Sequence, residues 1–141
     1  AHAYPEPPLN YREVNSALSS DKVVVVGGIA PGQTTDTVAA ILAEYLKADM
    51  LVNATSVDGV YSADPRLDPG ARKFDRLSPR ELVDIVMKIE MKAGSKSPID
   101  PLSAKIIERS GIPTIILNGS NPRNLLDAIL LKKKIGTIIK A

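Results

Sequence analysis

The chain has 141 residues, of which 44% are hydrophobic and 24% charged, with a formal net charge of +2, no cysteine and a single histidine, His2. That length suits one domain, 1–141, with enough apolar material for a core, and the balance excludes a disordered or fibrous chain. Disulfides, thiolate metal sites, histidine zinc sites and a local histidine triad are excluded as well, which leaves carboxylates, hydroxyls, Lys/Arg and backbone amides to do any chemistry.

Lys132, Lys133 and Lys134 form a basic run, but no aromatic residue is interleaved for base stacking, so no nucleic acid is expected as a partner. The apolar stretches are too short for a membrane-spanning helix and the first residues lack a secretion-signal pattern, so no membrane partner is expected and the cytoplasm is the default. The chain begins Ala1-His2-Ala3 without Met, which suits a processed or excised polypeptide.

In chain order, Asn10 to Leu18 reads as a helix and Val23 to Val26 as a buried strand ending in Gly27-Gly28. After Pro31-Gly32, the spacing of Val38, Ile41, Leu42, Tyr45 and Leu46 predicts a helix whose first turn holds Gln33 to Asp36. A second apolar run, Met50 to Ala54, completes a strand, helix, strand order that implies a parallel pair with a right-handed crossover. Asp58-Gly59 between Val57 and Val60 is a hairpin signal. Ser78-Pro79-Arg80-Glu81 is a capping box with Pro at the first helical position, ahead of Leu82, Ile85, Val86 and Ile89 on one face. Asp100-Pro101 opens another helix, with Leu102 and Ile106 inward and Gly111 at its stop, before a strand from Thr114 to Leu117. Asn121-Pro122 caps a last helix carrying Leu125, Leu126, Ile129 and Leu130, and Gly136 turns the chain into a final strand, Thr137 to Ile139.

Three segments carry candidate chemistry. In the loop Gly27-Gly28-Ile29-Ala30-Pro31-Gly32-Gln33-Thr34-Thr35, glycines allow close approach to an anion and the helix start offers free amides, to which the threonine hydroxyls can add hydrogen bonds. Its other reading is a plain turn between strand and helix. Gly27 to Thr34 fits a Walker A spacing, but Gln33 stands where the lysine belongs, so that match is accidental. Asp36 can orient a lysine or a metal at the loop mouth, or simply be a first-turn acid favoured by the helix dipole.

In the second segment, Ala54 to Pro65, a tight turn explains Asp58 and Gly59 but not Thr55, Tyr61 and Asp64. At the carboxyl end of a parallel strand these can give a hydroxyl, a stacking face and an acceptor to adenine or ribose. The third, Lys92-Ala93-Gly94-Ser95-Lys96-Ser97, is either a phosphate-reaching stretch or a solvated linker, and Lys105 reads as surface.

Pro31-Gly32-Gln33-Thr34-Thr35-Asp36, Val57-Asp58-Gly59-Val60-Tyr61 with Ala63-Asp64-Pro65, Lys92-Ala93-Gly94-Ser95, Ile99-Asp100-Pro101 through Ala104-Lys105-Ile106-Ile107, and Gly136-Thr137 occur in an order that resembles the C-terminal part of archaeal-type uridylate (UMP) kinases of the amino acid kinase family. The resemblance runs from Ala3 onward. The Val-Asp-Gly-Val-Tyr core alone also suits aspartate or glutamate kinases, and a catalytically silent nucleotide-binding domain is a further alternative.

The resemblance implies a three-layer α/β/α sandwich with a mostly parallel sheet, N-terminally incomplete here, and phosphoryl transfer from ATP to UMP with Mg2+. It implies that Gly28, Ile29, Ala30, Pro31, Gly32, Gln33, Thr34 and Thr35 line the UMP site, with Thr34 and Thr35 nearest its phosphate. It implies also that Thr55, Ser56, Tyr61 and Asp64 line the ATP site and that Asp36 is the organising catalytic carboxylate, with no residue ligating the metal directly. Ser56 stands where the family usually has Asn. The family's first strand, Gly-rich loop and phosphate-neutralising lysine have no counterpart in these residues, so slow turnover is expected of this chain alone. A homo-oligomer, a hexamer, is the assembly the resemblance implies.

Overall fold

The computed structural model describes residues 2–141, with α1 (Tyr11–Leu18), α2 (Thr35–Tyr45), β1 (Leu51–Thr55), β2 (Val60–Tyr61), β3 (Lys73–Phe74), β4 (Arg76–Leu77), α3 (Pro79–Glu90), α4 (Pro101–Ser110), β5 (Thr114–Asn118), α5 (Arg123–Ile129) and β6 (Thr137–Ile139) in that order. The main sheet has the order β1-β5-β6-β4, and β2 and β3 form a separate antiparallel pair. β1 and β5 are parallel, as are β4 and β6, while β5 and β6 run antiparallel.

Alternation along the strands sorts side chains into two layers of core. Ile116 and Ile139 face α3 and α4, where they pack with Leu82, Val83, Val86, Ala104 and Ile107. Ile115 and Leu117 point the other way and meet Ala128 and Leu125 of α5. Helices on both faces of the sheet give the three-layer α/β/α arrangement expected from the sequence. Fully buried side chains such as Leu82 and Ile107 each contribute about 1.5–3 kcal/mol through removal from water.

Helix starts follow the sequence signals. Ser78 Oγ accepts from Glu81 N and Ser78 N donates to Glu81 Oε2, closing the capping box of α3 with Pro79 at its first position. Asp100 caps α4, which ends at the left-handed Gly111. At α5 the cap is weaker: Asn121 Oδ1 accepts from Arg123 N, and no side chain caps the helix itself.

Several expectations are corrected. Val23 to Val26 is not a strand of the sheet: only Val23 forms a bridge, to Ala3, and Val23 and Val25 are exposed. Apolar β-branched sequence gives extended propensity, but a strand needs a lateral partner, and β1 pairs with β5 instead. The expected parallel pair across α2 is therefore replaced by β1 with β5. Asp58-Gly59 is not a hairpin tip, because β1 belongs to the main sheet and β2 pairs with β3. Gly59 is required for a different reason, since a Cβ there would lie 2.6 Å from Thr137 Oγ1. Leu102 is exposed, and the buried face of α4 is Ser103, Ala104, Ile106 and Ile107. Leu126, Ile129 and Leu130 are also exposed, leaving α5 attached through Leu125 and Ala128.

Candidate functional site

Two clefts open along β1. The first is lined by Thr35, Asp36 and Ala39 of α2, by Leu51 to Ala54, and by Ile99, and encloses about 480 Å³ including space open to solvent. The second begins one residue later at Thr55 and continues through Ser56, Val57, Gly59, Tyr61, Ala63 to Arg66, Ile89 and Lys96 to Pro98, with about 500 Å³. The clefts are neighbours twice over, through Ala54 and Thr55 on the strand and through Pro98 and Ile99 on the segment leading to α4.

Of the residues expected to line the UMP site only Thr35 lines the first cleft; Gly28 to Thr34 form the loop that leads into the N-terminus of α2. Gly28, Pro31, Gly32, Thr34 and Thr35 are exposed, while Ile29, Ala30 and Gln33 are half-buried. Gln33 N closes a turn onto Ala30 O at 3.3 Å, with Gly32 in the left-handed region. Thr34 caps the helix by accepting from Thr37 N at 3.0 Å. The amides of Thr35 and Asp36 stay beyond the reach of any helical carbonyl and point with the positive end of the helix dipole.

Two hydroxyl and amide expectations change here. Gln33 Oε1 is taken by the Tyr11 hydroxyl of α1 at 3.1 Å, which ties the loop to that helix. Thr34 donates its only hydroxyl proton to Asp100 Oδ2 at 2.7 Å, so as folded it has no proton left for a phosphate. Thr35 alone of the pair keeps its hydroxyl free of protein partners among the described residues.

Asp100, which the sequence marked only as a helix opener, proves to be the hub. Besides Thr34, it accepts from Thr37 Oγ1 at 3.1 and 3.2 Å, from Ser103 N at 2.9 Å and from Ser103 Oγ. One carboxylate thereby stitches the starts of α2 and α4 together. Burial works against its charge, but the hydrogen bonds from Ser103, Thr34 and Thr37 outweigh it and hold the carboxyl below its ordinary range. Asp36 behaves oppositely: burial first, and the negative Asp100 second, raise it above the ordinary carboxylate value. No ion pair among the described residues involves Asp36; the side chain facing it is Asn53, whose amide favours the ionised form while its Nδ2 is buried without a hydrogen-bond partner of good geometry.

The second cleft brings Thr55, Ser56, Tyr61 and Asp64 onto one wall system, as the sequence grouped them. Tyr61 donates its hydroxyl to Asp58 Oδ1 at 2.6 Å, and Lys73 Nζ lies 3.5 Å from Asp58 Oδ2. That bond from Tyr61 lowers Asp58 and raises the Tyr61 phenol. Thr137 Oγ1 accepts from Val60 N at 2.8 Å and donates to Phe74 O, bracing the β2–β3 pair against β6.

Asp64 is the main revision at this cleft. Its Oδ1 accepts from Arg66 N and Nε at 3.0 Å each, and its Oδ2 from Arg66 Nη2 at 2.7 Å and from Lys96 N at 3.0 Å. Four donors fill a carboxylate, so no lone pair remains for an adenine or ribose. Of the third segment, Lys96 and Ser97 reach this cleft, while Lys105 sits at the surface paired with Glu108 at 2.9 Å. Asp100, Asn53 and Arg66 are residues that sequence reasoning left out of the sites, and Lys96 was named there only within a stretch that read equally as a solvated linker. The Asp-Pro pair at 100 carried a local signal and Arg66 grips Asp64 only two residues away, whereas the Lys96 amide reaches Asp64 across 32 residues.

The amino acid kinase family model matches residues 2–118. A uridylate kinase of Methanococcoides burtonii is 65% identical over 128 residues, which cover 91% of this chain and 55% of that protein. A uridylate kinase of Methanocella arvoryzae is 59% identical over 138 residues, 98% of this chain and 61% of that one. The crystal structure of uridylate kinase from Archaeoglobus fulgidus is similar with a TM-score of 0.84 at 45% identity, covering 97% of this chain and 61% of that chain. The chain thus spans little more than half the length of the relatives it matches. With a family match across most of its residues and a near relative sharing its fold, the chain belongs to the amino acid kinase family.

Proposed function

We propose that this chain carries the acceptor and donor clefts of a uridylate kinase, which transfers the terminal phosphoryl group of ATP to UMP and releases UDP and ADP in pyrimidine nucleotide biosynthesis. The observation that carries the reading is the adjacency of the two clefts on β1, one ending in free helix amides and the other faced by an aromatic ring. The uridylate kinase names of its relatives support the same substrates. Phosphoryl transfer asks for positioning and charge neutralisation more than covalent help, which two clefts meeting at one strand can supply.

In this reading the loop from Gly28 to Gln33 lines the UMP site, and the Thr35 and Asp36 amides with the Thr35 hydroxyl meet its phosphate. Thr55, Ser56 and the Tyr61 ring receive the adenosine end of ATP. Asp36, half-buried and held above its usual range, is the carboxylate poised at the reacting phosphates. Among the described residues no group of three metal-ligating side chains forms a dedicated metal site. A single carboxylate such as Asp36 fits Mg2+ that arrives with the ATP phosphates and neutralises their charge. A homo-oligomeric, cytoplasmic enzyme belongs to the same proposal, on the strength of the family resemblance.

Calorimetric titration of the 141-residue chain with UMP, CMP, aspartate, glutamate and ATP tests the reading. UMP and ATP are expected to bind together, each without displacing the other. Binding of aspartate or glutamate in place of UMP would turn it toward an amino acid kinase, and ATP binding with no response to any acceptor would turn it toward a silent nucleotide-binding domain.

A further inference from the structure

The basic run Lys132-Lys133-Lys134 has no part in either cleft. Lys133 is held twice by Asp127, its N–H donating to Asp127 O and its Nζ to Asp127 Oδ2, each at 3.0 Å. Ile135 N then donates to Lys133 O at 2.9 Å, a tight turn with Lys134 at its centre, and Ile135 packs against the core that α5 covers. The main chain on both sides of Lys134 is thereby fixed. Its side chain is exposed and takes part in no ion pair among the described residues.

A second cation reaches the same place from the sheet. Arg76 of β4 is the register partner of Ile138, and Ile138 is that of Ile115, so all three share the face of the sheet on which α5 lies. β4 is the edge strand, and beside it a groove opens that is lined by Asp75, Arg76, Lys134, Gly136 and Ile138, with about 670 Å³ including space open to solvent. None of these five residues lines either cleft. Arg76 is exposed and, like Asp75, has no ion-pair partner among the described residues. The groove therefore carries two uncommitted cations against one carboxylate, beside the apolar Ile138.

A guanidinium presents a planar fork to a phosphate, and an ammonium adds a point charge beside it. Both side chains spring from main chain already held, one by a strand ladder and one by a turn, so little backbone freedom is lost when an anion docks. No aromatic ring lines the groove, which gives a nucleobase nothing to stack on. Ile138 offers an apolar contact and Asp75 an acceptor, which suits the carbons and hydroxyls of a sugar.

We propose that Arg76 and Lys134 form a binding site for a small phosphate monoester of the sugar-phosphate class, separate from both clefts. Amide NMR of the full chain, titrated in turn with ribose 5-phosphate, inorganic phosphate and citrate, tests it. Ribose 5-phosphate is expected to give saturable shifts at Gly136 and Ile138, inorganic phosphate weaker ones and citrate none. Arg76→Gln and Lys134→Gln should each weaken that response by about fivefold, while Lys134→Arg keeps it. Lys134→Gln removes a side chain that holds nothing in the protein, so it carries the test if Arg76→Gln disturbs β4. The absence of saturable shifts at Gly136 and Ile138, or shifts that neither substitution alters, overturns the site. An equal response to citrate reduces it to an unselective basic patch and overturns the phosphate assignment. The Thr35 and Tyr61 amides report the two clefts and should behave alike in parent and variants; a parallel loss there ascribes the effect to the fold and overturns the site. The deciding shifts are read outside both clefts, so their failure leaves the kinase reading intact.

Discussion

The first cleft and the second share β1 but are held in shape by different means. Around Thr35 and Asp36 the wall is a helix start, exposed and rich in unsatisfied donors, tied down at a single carboxylate, Asp100. Around Thr55 and Tyr61 the wall is two strand ends and the loops that follow them, locked from behind by the Asp64 ion pair and by Gly136 and Thr137 at the start of β6. A helix terminus brings its own ligand-binding groups and needs only orientation, whereas a loop must be immobilised by tertiary contacts before it can offer any. Substitutions of the residues that lock the second cleft should therefore act chiefly on stability, and those of the free groups at the first, such as Thr35, chiefly on binding.

The sharpest way to break that contrast lies at Gly136. An alanine there would put Cβ 2.2 Å from Ile116 O, at a φ of +79° that L side chains rarely adopt. Gly136→Ala should cost about 3 kcal/mol or more, read as a drop in the urea midpoint, and should loosen the neighbouring Thr137 brace. A loss under about 1 kcal/mol would mean that the second cleft is not locked from behind as described.

Asp100 gives an intermediate effect and a pH signature. Asp100→Ala removes the α4 cap and the tether to Thr34, at about 1–2 kcal/mol in chemical unfolding. Asp100 has a depressed folded pKa, so the stability it contributes is present above the ordinary carboxylate range and is lost as pH falls through the folded value. Asp36 is raised, so it protonates earlier on acidification than an ordinary carboxylate. Asp100→Asn takes away the neighbouring charge but not the burial, which is the larger cause. The Asp36 carboxyl should then protonate at lower pH than in the parent, without reaching the range of a free carboxylate, in an NMR pH titration. An unmoved titration would detach Asp36 from Asp100.

The smallest effect on stability, and the cleanest on binding, belongs to Thr35. Its exposed hydroxyl holds nothing in the protein, so Thr35→Ala should stay within about 0.5 kcal/mol of the parent while weakening UMP about fivefold by calorimetry. Thr34→Ala makes the useful contrast, because it removes a helix cap and should lose about 1 kcal/mol.

Legibility differed between these regions for the same reason. The α3 capping box, the Asp100-Pro101 start, the Gly111 stop and the loop into α2 were readable because each signal acts within four residues of itself. The grouping of Thr55, Ser56, Tyr61 and Asp64 was readable because one short stretch carries them all. The Val23 to Val26 strand, the Asp58-Gly59 hairpin and the inward Leu102 were misread because each depends on a partner the local pattern does not name. Asp64 lines its cleft but was given free polar atoms that Arg66, two residues on, and the Lys96 amide had already taken, and Thr34, expected nearest the phosphate, lies outside the lining of the first cleft with its hydroxyl proton taken by Asp100.

By itself the sequence determined the starts of α3 and α4, the layered α/β class and the two stretches that carry the clefts, since propensity, capping and periodicity are short-range properties of the chain. Only the tertiary structure decided which strand β1 pairs with, which hydroxyl and carboxylate groups remain free, and that Asp100 and Asp64 bind the walls together. Those choices depend on hydrogen-bond partners 32 to 66 residues away, where chain closure and burial, not neighbouring residues, set the outcome.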